Sequence, residues 1–281
     1  MLLFYLLVIC IFSQTSCRKD RSTSSDNESY YDLSNKQAIS DGLIEDVNNL
    51  VLGSLDDNNF NFKSYNNGSI DNGLPACANT TISGNFPNKL ITINFGSGCV
   101  DTFGIFRSGI IYIQISDSIR TTGSTITVNF DNFHVKKYKK EGTIVWTNLT
   151  QNNTSMIKTW SRQVQNGKIT DTTDDKYWLH SSIKNITQYE GAATPRYRYD
   201  DKYKIFNGIG SVTNIMGMTM NTTILDTLNK SFLCPHMDKG VLKIEKTGHY
   251  ALLDYGNGVC DNTAIITIDG NTSNTRTIIL P

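Results

Sequence analysis

The chain has 281 residues, 38% hydrophobic and 19% charged, and its 26 basic side chains balance 26 acidic ones. That length holds one large β domain or two smaller ones, each with a core, and the 10% of aromatic residues excludes wholesale disorder. Zero net charge argues against a broad basic face, so no nucleic-acid partner is expected.

Leu2 to Phe12 is an apolar run of eleven residues that turns polar at Ser13. It is too short to span a bilayer and has the length of a secretory h-region. Thr15-Ser16-Cys17 resembles a bacterial lipoprotein signal, which implies removal of residues 1–16, acylation of Cys17 and a membrane partner reached through an N-terminal lipid anchor. Ordinary signal-peptidase cleavage is the alternative. Residues 17–35 are charged, Ser-rich and poor in aliphatics, so a flexible tether is expected there. Arg18-Lys19-Asp20 loosely resembles a short surface-export signal, leaving the periplasmic face and the cell surface both open.

Residues 36–57 read as an amphipathic helix, since Ile39, Leu43, Val47, Leu50 and Val51 recur at helical spacing. Asp41, Glu45 and Asp46 should weight its first turns acidically, and one apolar stripe should pack on a sheet. Residues 58–281 read as a β-rich domain. From Leu90 onward, period-two alternation predicts strands over Ile110–Ile115, Thr125–Phe130, Thr143–Thr147, Met156–Val164, Trp178–Ile183, Lys202–Phe206, Gly208–Asn214, Met216–Thr223, Val241–Ile244, Ala251–Tyr255, Ala264–Ile268 and Thr277–Leu280. Turn signals stand at Thr122-Gly123-Ser124, Glu141-Gly142, Asn166-Gly167, Asn207-Gly208 and Asp269-Gly270-Asn271. No stretch is long enough for crossover helices, so the fold class is all-β and mostly antiparallel, as a sandwich, a half-barrel or one long sheet, with one N-terminal helix.

Four cysteines remain after the leader and Cys17, and Cys77, Cys99, Cys234 and Cys260 allow three pairings. An internal repeat, over about 75–115 and 232–281, favours one of them. Ile91 to Cys99 and Leu252 to Cys260 each carry an apolar strand, an aromatic, a Gly-x-Gly turn and a cysteine, with Asp101 or Asp261 close behind. Local bonds, Cys77–Cys99 and Cys234–Cys260, respect that symmetry. The glycines read as positive-φ turn positions rather than as an anion or metal loop.

The order Phe95-Gly-Ser-Gly-Cys99, Arg107-Ser-Gly-Ile110, Gly123 to Phe130, Glu141-Gly-Thr143, Asp200-Asp-Lys-Tyr203 and Asp254-Tyr-Gly-Asn-Gly-Val-Cys-Asp261 resembles a family of Bacteroidota outer-membrane lipoproteins. The resemblance covers residues 75–281 and implies an exported, lipid-anchored β protein; it carries no activity and no catalytic residues. Asp117-Ser118, Asp171-Thr172 and Asp226-Thr227 resemble the O-glycosylation acceptors of such exported proteins, which makes Ser118, Thr172 and Thr227 candidate modification sites.

Chemistry is otherwise sparse. His134, His180, His236 and His249 lack ligand spacing, and no nucleophile-elbow, zincin or P-loop pattern occurs, so no catalytic residue, metal or cofactor is expected. Asp174/Asp175 and Asp200/Asp201 read as solvated turn carboxylates rather than a glycosidase pair. Trp146, Trp160, Trp178, Tyr197, Tyr199 and Tyr203 form the candidate binding surface, beside the cations Arg196, Arg198, Lys202 and Lys204. The expected role is a non-enzymatic interaction or structural one in the outer membrane, with an envelope protein or a glycan as partner; a glycan-binding or carbohydrate-active accessory protein is the alternative.

Overall fold

The computed structural model describes residues 21–55, 74–152, 155–194 and 198–280, with side chains from residue 26 in the helix and from residue 199 after the last break. Residues 1–20, with Cys17, lie outside the described residues, as do the side chains of Arg196, Tyr197 and Arg198.

The described residues open with α1 (Arg21–Leu55), 35 residues and so roughly 52 Å long at 1.5 Å per residue. Fourteen strands follow: β1 (Asn79–Ser83), β2 (Lys89–Asn94), β3 (Cys99–Val100), β4 (Phe106–Ile115), β5 (Thr125–Val135), β6 (Tyr138–Asn148), β7 (Thr159–Asp171), β8 (Lys176–Glu190), β9 (Lys202–Asn214), β10 (Thr219–Ser231), β11 (Lys239–Lys246), β12 (His249–Asn257), β13 (Thr263–Ile268) and β14 (Thr275–Ile279). They form one antiparallel meander from β1 to β14, with β3 pairing only with β4, so the sheet is single, long and open. Alternation sets the faces: Ile111, Ile113 and Ile115 of β4, or Ala264, Ile266 and Ile268 of β13, are buried in the one core that also takes in the helix.

The sheet curls round the helix instead of lying on one side of it. Side chains of α1 bond to β4, β7, β8, β12 and β14, and the apolar stripe Leu43, Val47, Leu50, Val51 is 3% exposed or less. The opposite stripe, Ser34, Gln37, Asp41, Glu45 and Asn48, is just as buried. The expectation of a single packed stripe is therefore corrected: helical amphipathicity is present, but the polar face meets polar side chains of the sheet and not water.

The tether is corrected too, because α1 already begins at Arg21. Aromatic anchors replace the missing aliphatics. Tyr30 Oη donates to the carbonyls of Lys246 (2.7 Å) and His249 (3.1 Å), and the Arg276 guanidinium lies 3.9 Å from the Tyr31 ring centroid while pairing with Glu28. Asp41, Glu45 and Asp46 accordingly sit mid-helix, away from the positive end of the dipole.

Three turn signals mark bends within strands. Glu141-Gly142, Asn166-Gly167 and Asn207-Gly208 lie inside β6, β7 and β9, with positive φ at Gly142 (105°), Asn166 (50°) and Asn207 (48°). Pairing shifts register at each, as between Glu141 and Thr143 on β6. A left-handed residue followed by glycine builds a bulge as readily as a hairpin, and a bulge bends and twists the strand that carries it. Lys202–Phe206 and Gly208–Asn214 are thus halves of one strand. Gly142 also has no room for a side chain, since a Cβ there would stand 2.6 Å from the Asn166 carbonyl oxygen.

Both disulfides close locally, Cys77–Cys99 and Cys234–Cys260, each with Cα atoms 5.6 Å apart, within the usual range of about 4.4–6.8 Å. The two units share one arrangement, although β3, which holds Cys99, has no counterpart in the second. In each, a cysteine precedes one strand (β1 or β11), its partner follows the next (β2 or β12), and the intervening aromatic, Phe95 or Tyr255, is buried. The trailing aspartates cap their own turns: Asp101 accepts from the Phe103 and Ile105 amides, and Asp261 from the Thr263 amide.

Candidate functional site

The chemistry-bearing residues fall into two places, the interface between helix and sheet and a groove on the outer face. At the interface, inward positions of the strands hold cations where apolar residues would be usual. Lys184 of β8 bonds to Asp41 at 2.5 Å, Arg162 of β7 pairs with Glu45, and Arg107 of β4 bonds to Asp46 and, at 2.7 Å, to Asp101. Tyr255 donates to Asp41 (3.2 Å), and burial beside that carboxylate pushes its phenol well above the usual range. Trp178 Nε1 donates to Ser40 Oγ at 2.9 Å.

Cations exceed carboxylates in this layer. Lys140 of β6 is 1% exposed, with Nζ lacking any hydrogen-bond partner and lying 5.4 Å from the Phe130 ring centroid. Burial, helped by Arg162, pushes it down to about 7. His180 is held well below its ordinary value by burial and by Lys140 and Lys184, and its Nε2 is likewise unpartnered. Lys230 falls to about 8 through burial and donates to the carbonyls of Ser231 (2.6 Å) and Cys234. A layer so enclosed fixes the register of helix against sheet.

The aromatic residues expected to form a binding surface are mostly core. Trp146, Trp160, Trp178 and Tyr203 are each 4% exposed or less, and Tyr199 packs edge-on against Phe232, so they present no open platform. They occupy inward positions of curled strands, and a curled sheet hides the face that a flat one would expose. Asp201 is buried, accepting from Gln188 (2.7 Å) and Tyr203 (2.9 Å), which corrects its reading as a solvated turn residue. Thr194 Oγ1 donates to Asp200, and Asp174 pairs with Lys176 at 2.8 Å. Among the described residues no three His, Cys, Asp or Glu side chains are grouped to hold a metal, and no helix is long and apolar enough to cross a membrane. Of the candidate acceptors, Thr172 and Thr227 are exposed and Ser118 is half-buried; the Thr172 hydroxyl donates to the Lys137 carbonyl at 2.9 Å.

Sequence reasoning missed the buried cations Lys140, Arg162, Lys184 and Arg107. Their signal was present: Arg162 lies at period two between Trp160 and Val164, and Lys184 two before Ile186, where inward residues belong.

The groove on the outer face has a volume of about 640 Å³ and crosses β8 to β12. Irregular pairing on β10 between Ile224 and Asn229, and on β11 near Gly240, sinks its floor. One wall is the cross-strand row Lys204, Asn229 and Lys239; the other is Asp226, Val241 and Asp254. Tyr189 closes one end, with Lys204 Nζ 4.7 Å from its ring centroid. Comparison with protein-family models, with curated proteins and with solved structures finds no match.

Proposed function

We propose that the chain is an exported, lipid-anchored outer-membrane protein with a binding or structural role and not a catalytic one. The pair of local disulfides carries the reading, because such bonds persist in oxidising compartments outside the cytosol. The apolar run Leu2 to Phe12 and the Thr15-Ser16-Cys17 signal support export and acylation. The enclosed ionic layer supports a scaffold role, since its carboxylates and cations are engaged in holding α1.

On this reading the acyl chains join the core closely, as α1 begins four residues after Cys17. The end of the sheet carrying Lys246 and Arg276, which grips Glu28 and Tyr30, then faces the bilayer. Intact-mass analysis of membrane-extracted protein should show loss of residues 1–16 and a diacyl- or triacylglyceryl adduct. A Cys17→Ser variant should move to the aqueous phase of a detergent partition. Recovery of that variant in membranes at the wild-type level defeats the proposal.

A further inference from the structure

The outer-face groove lies in mid-sheet, where β9 to β11 each pair with a strand on both sides, apart from the irregular stretch of β10 between Ile224 and Leu228. An extended peptide gains main-chain hydrogen bonds only at a sheet edge, so a ligand here must be recognised by side chains. Those side chains are sorted by sign, one wall basic and the other acidic. Lys204 and Lys239 stand two strands apart on one wall, and Asp226 and Asp254 two strands apart on the other; at about 4.8 Å per strand each like pair is separated by roughly 10 Å. The charges cancel along the groove, so neither a polyanion nor a polycation gains from the whole length. What remains is hydrogen-bonding capacity at regular intervals, from Asp226, Thr227, Asn229 and Lys239, and an aromatic end at Tyr189, over whose ring the exposed Lys204 ammonium lies and from which a ligand would displace it.

We infer that this groove binds a neutral, linear oligosaccharide, its hydroxyl groups bridging the Asp and Lys walls and one sugar ring lying on Tyr189. Resting on the envelope binding role proposed above, this names the site and the class of ligand. A sugar ring offers an apolar face to an aromatic and equatorial hydroxyls to paired donors and acceptors, which is the combination the walls supply. The groove crosses five strands from its Tyr189 end, so several rings can be held along it. Strand-borne side chains also keep their spacing without ligand, which limits the ordering cost of binding.

The test uses the full-length lipoprotein in detergent, titrated calorimetrically with maltohexaose, cellohexaose, chitohexaose and mannohexaose, beside a heparin hexasaccharide and a mixed Lys/Asp hexapeptide. Saturable binding of at least one neutral hexasaccharide is expected, weakened at least tenfold by Tyr189→Ala and by Asp226→Ala and unchanged by Lys246→Ala. If Tyr189→Ala lowers the melting temperature, Asp226→Asn, at an exposed position, gives the same readout without disturbing packing. Absence of binding by all four neutral probes at millimolar concentration overturns the inference. So does binding that the groove variants leave intact, or binding of the heparin fragment or peptide alone. A protein acylated at Cys17 that binds no hexasaccharide refutes the groove assignment only, whereas an unacylated one that binds refutes the anchor only.

Discussion

Lys140 illustrates how this core trades stability for definition. Its ammonium is enclosed without a carboxylate partner, so the charged form is disfavoured and its value falls to about 7 against about 10.4 for an unfolded chain. The unfolded state therefore binds more protons between those limits, and this residue's contribution to stability rises with pH from about 7 to about 10. Below that window its cost is fully present. Replacing it by Met, similar in length and apolar, should stabilise the protein at pH 7 by about 1–4 kcal/mol and flatten the rise toward pH 10. Urea unfolding of both proteins at pH 7 and 9.5 measures this, and equal pH slopes would refute it. Arg162 and Glu45 behave oppositely, because they form a buried ion pair, with only Arg162 Nη1 left unpartnered. Glu45→Gln alone should cost about 3–5 kcal/mol by leaving a buried guanidinium without its counter-charge, while Glu45→Leu with Arg162→Met should recover most of it. A double-mutant cycle reads the coupling directly.

At the scale of elements, strands of 11 to 15 residues in the middle of the sheet would run straight past the helix without bends. The bulges supply them, and Gly142 shows the constraint: positive φ and a carbonyl 2.6 Å from where a Cβ would stand. Gly142→Ala should lower stability by about 2–4 kcal/mol through strain at that φ and displacement of β7, as the shift in urea midpoint will show; a change below 0.5 kcal/mol would mean that the bend tolerates a side chain. The same residues mark the limit of legibility in the sequence. Asn166-Gly167 and Asn207-Gly208 announce left-handed backbone, and that much is local. Whether the chain then reverses or merely bends depends on pairing with strands on both sides, which is not local. The apolar alternation of β4, β12 and β13 could be read directly because those strands keep apolar residues inward. Strands β6 to β8 were legible but read too short and without their buried cations, because Arg162 and Lys184 stand at inward positions matched only by carboxylates on a helix more than a hundred residues earlier in the chain.

The whole molecule is closed by its helix and not by its sheet edges. β1 and β14 do not pair with each other, whereas α1 is bonded to β4 through Asp46 and to β12 through Asp41. The first and last thirds of the meander thus meet through α1, and Phe232 and Pro235 of the β10–β11 connection line one small cavity with Asp101 and Phe103 of the β3–β4 connection over Asp46 and Leu50. Each disulfide staples only its own unit at the end of a strand pair; loops of this size contribute about 3 kcal/mol each in the chain-entropy picture. Reduction should therefore loosen those connections locally while leaving the helix to open only with the sheet. In hydrogen exchange on the reduced full chain, amides of residues 96–105 and 256–262 should exchange at rates insensitive to low urea, as local openings expose little surface. Amides of residues 41–51 should follow the urea dependence of global unfolding, because every turn there is enclosed by strands from both halves. Urea-independent exchange of the helix after reduction would show instead that the disulfides hold the curled sheet shut, and that the ionic layer alone does not retain α1.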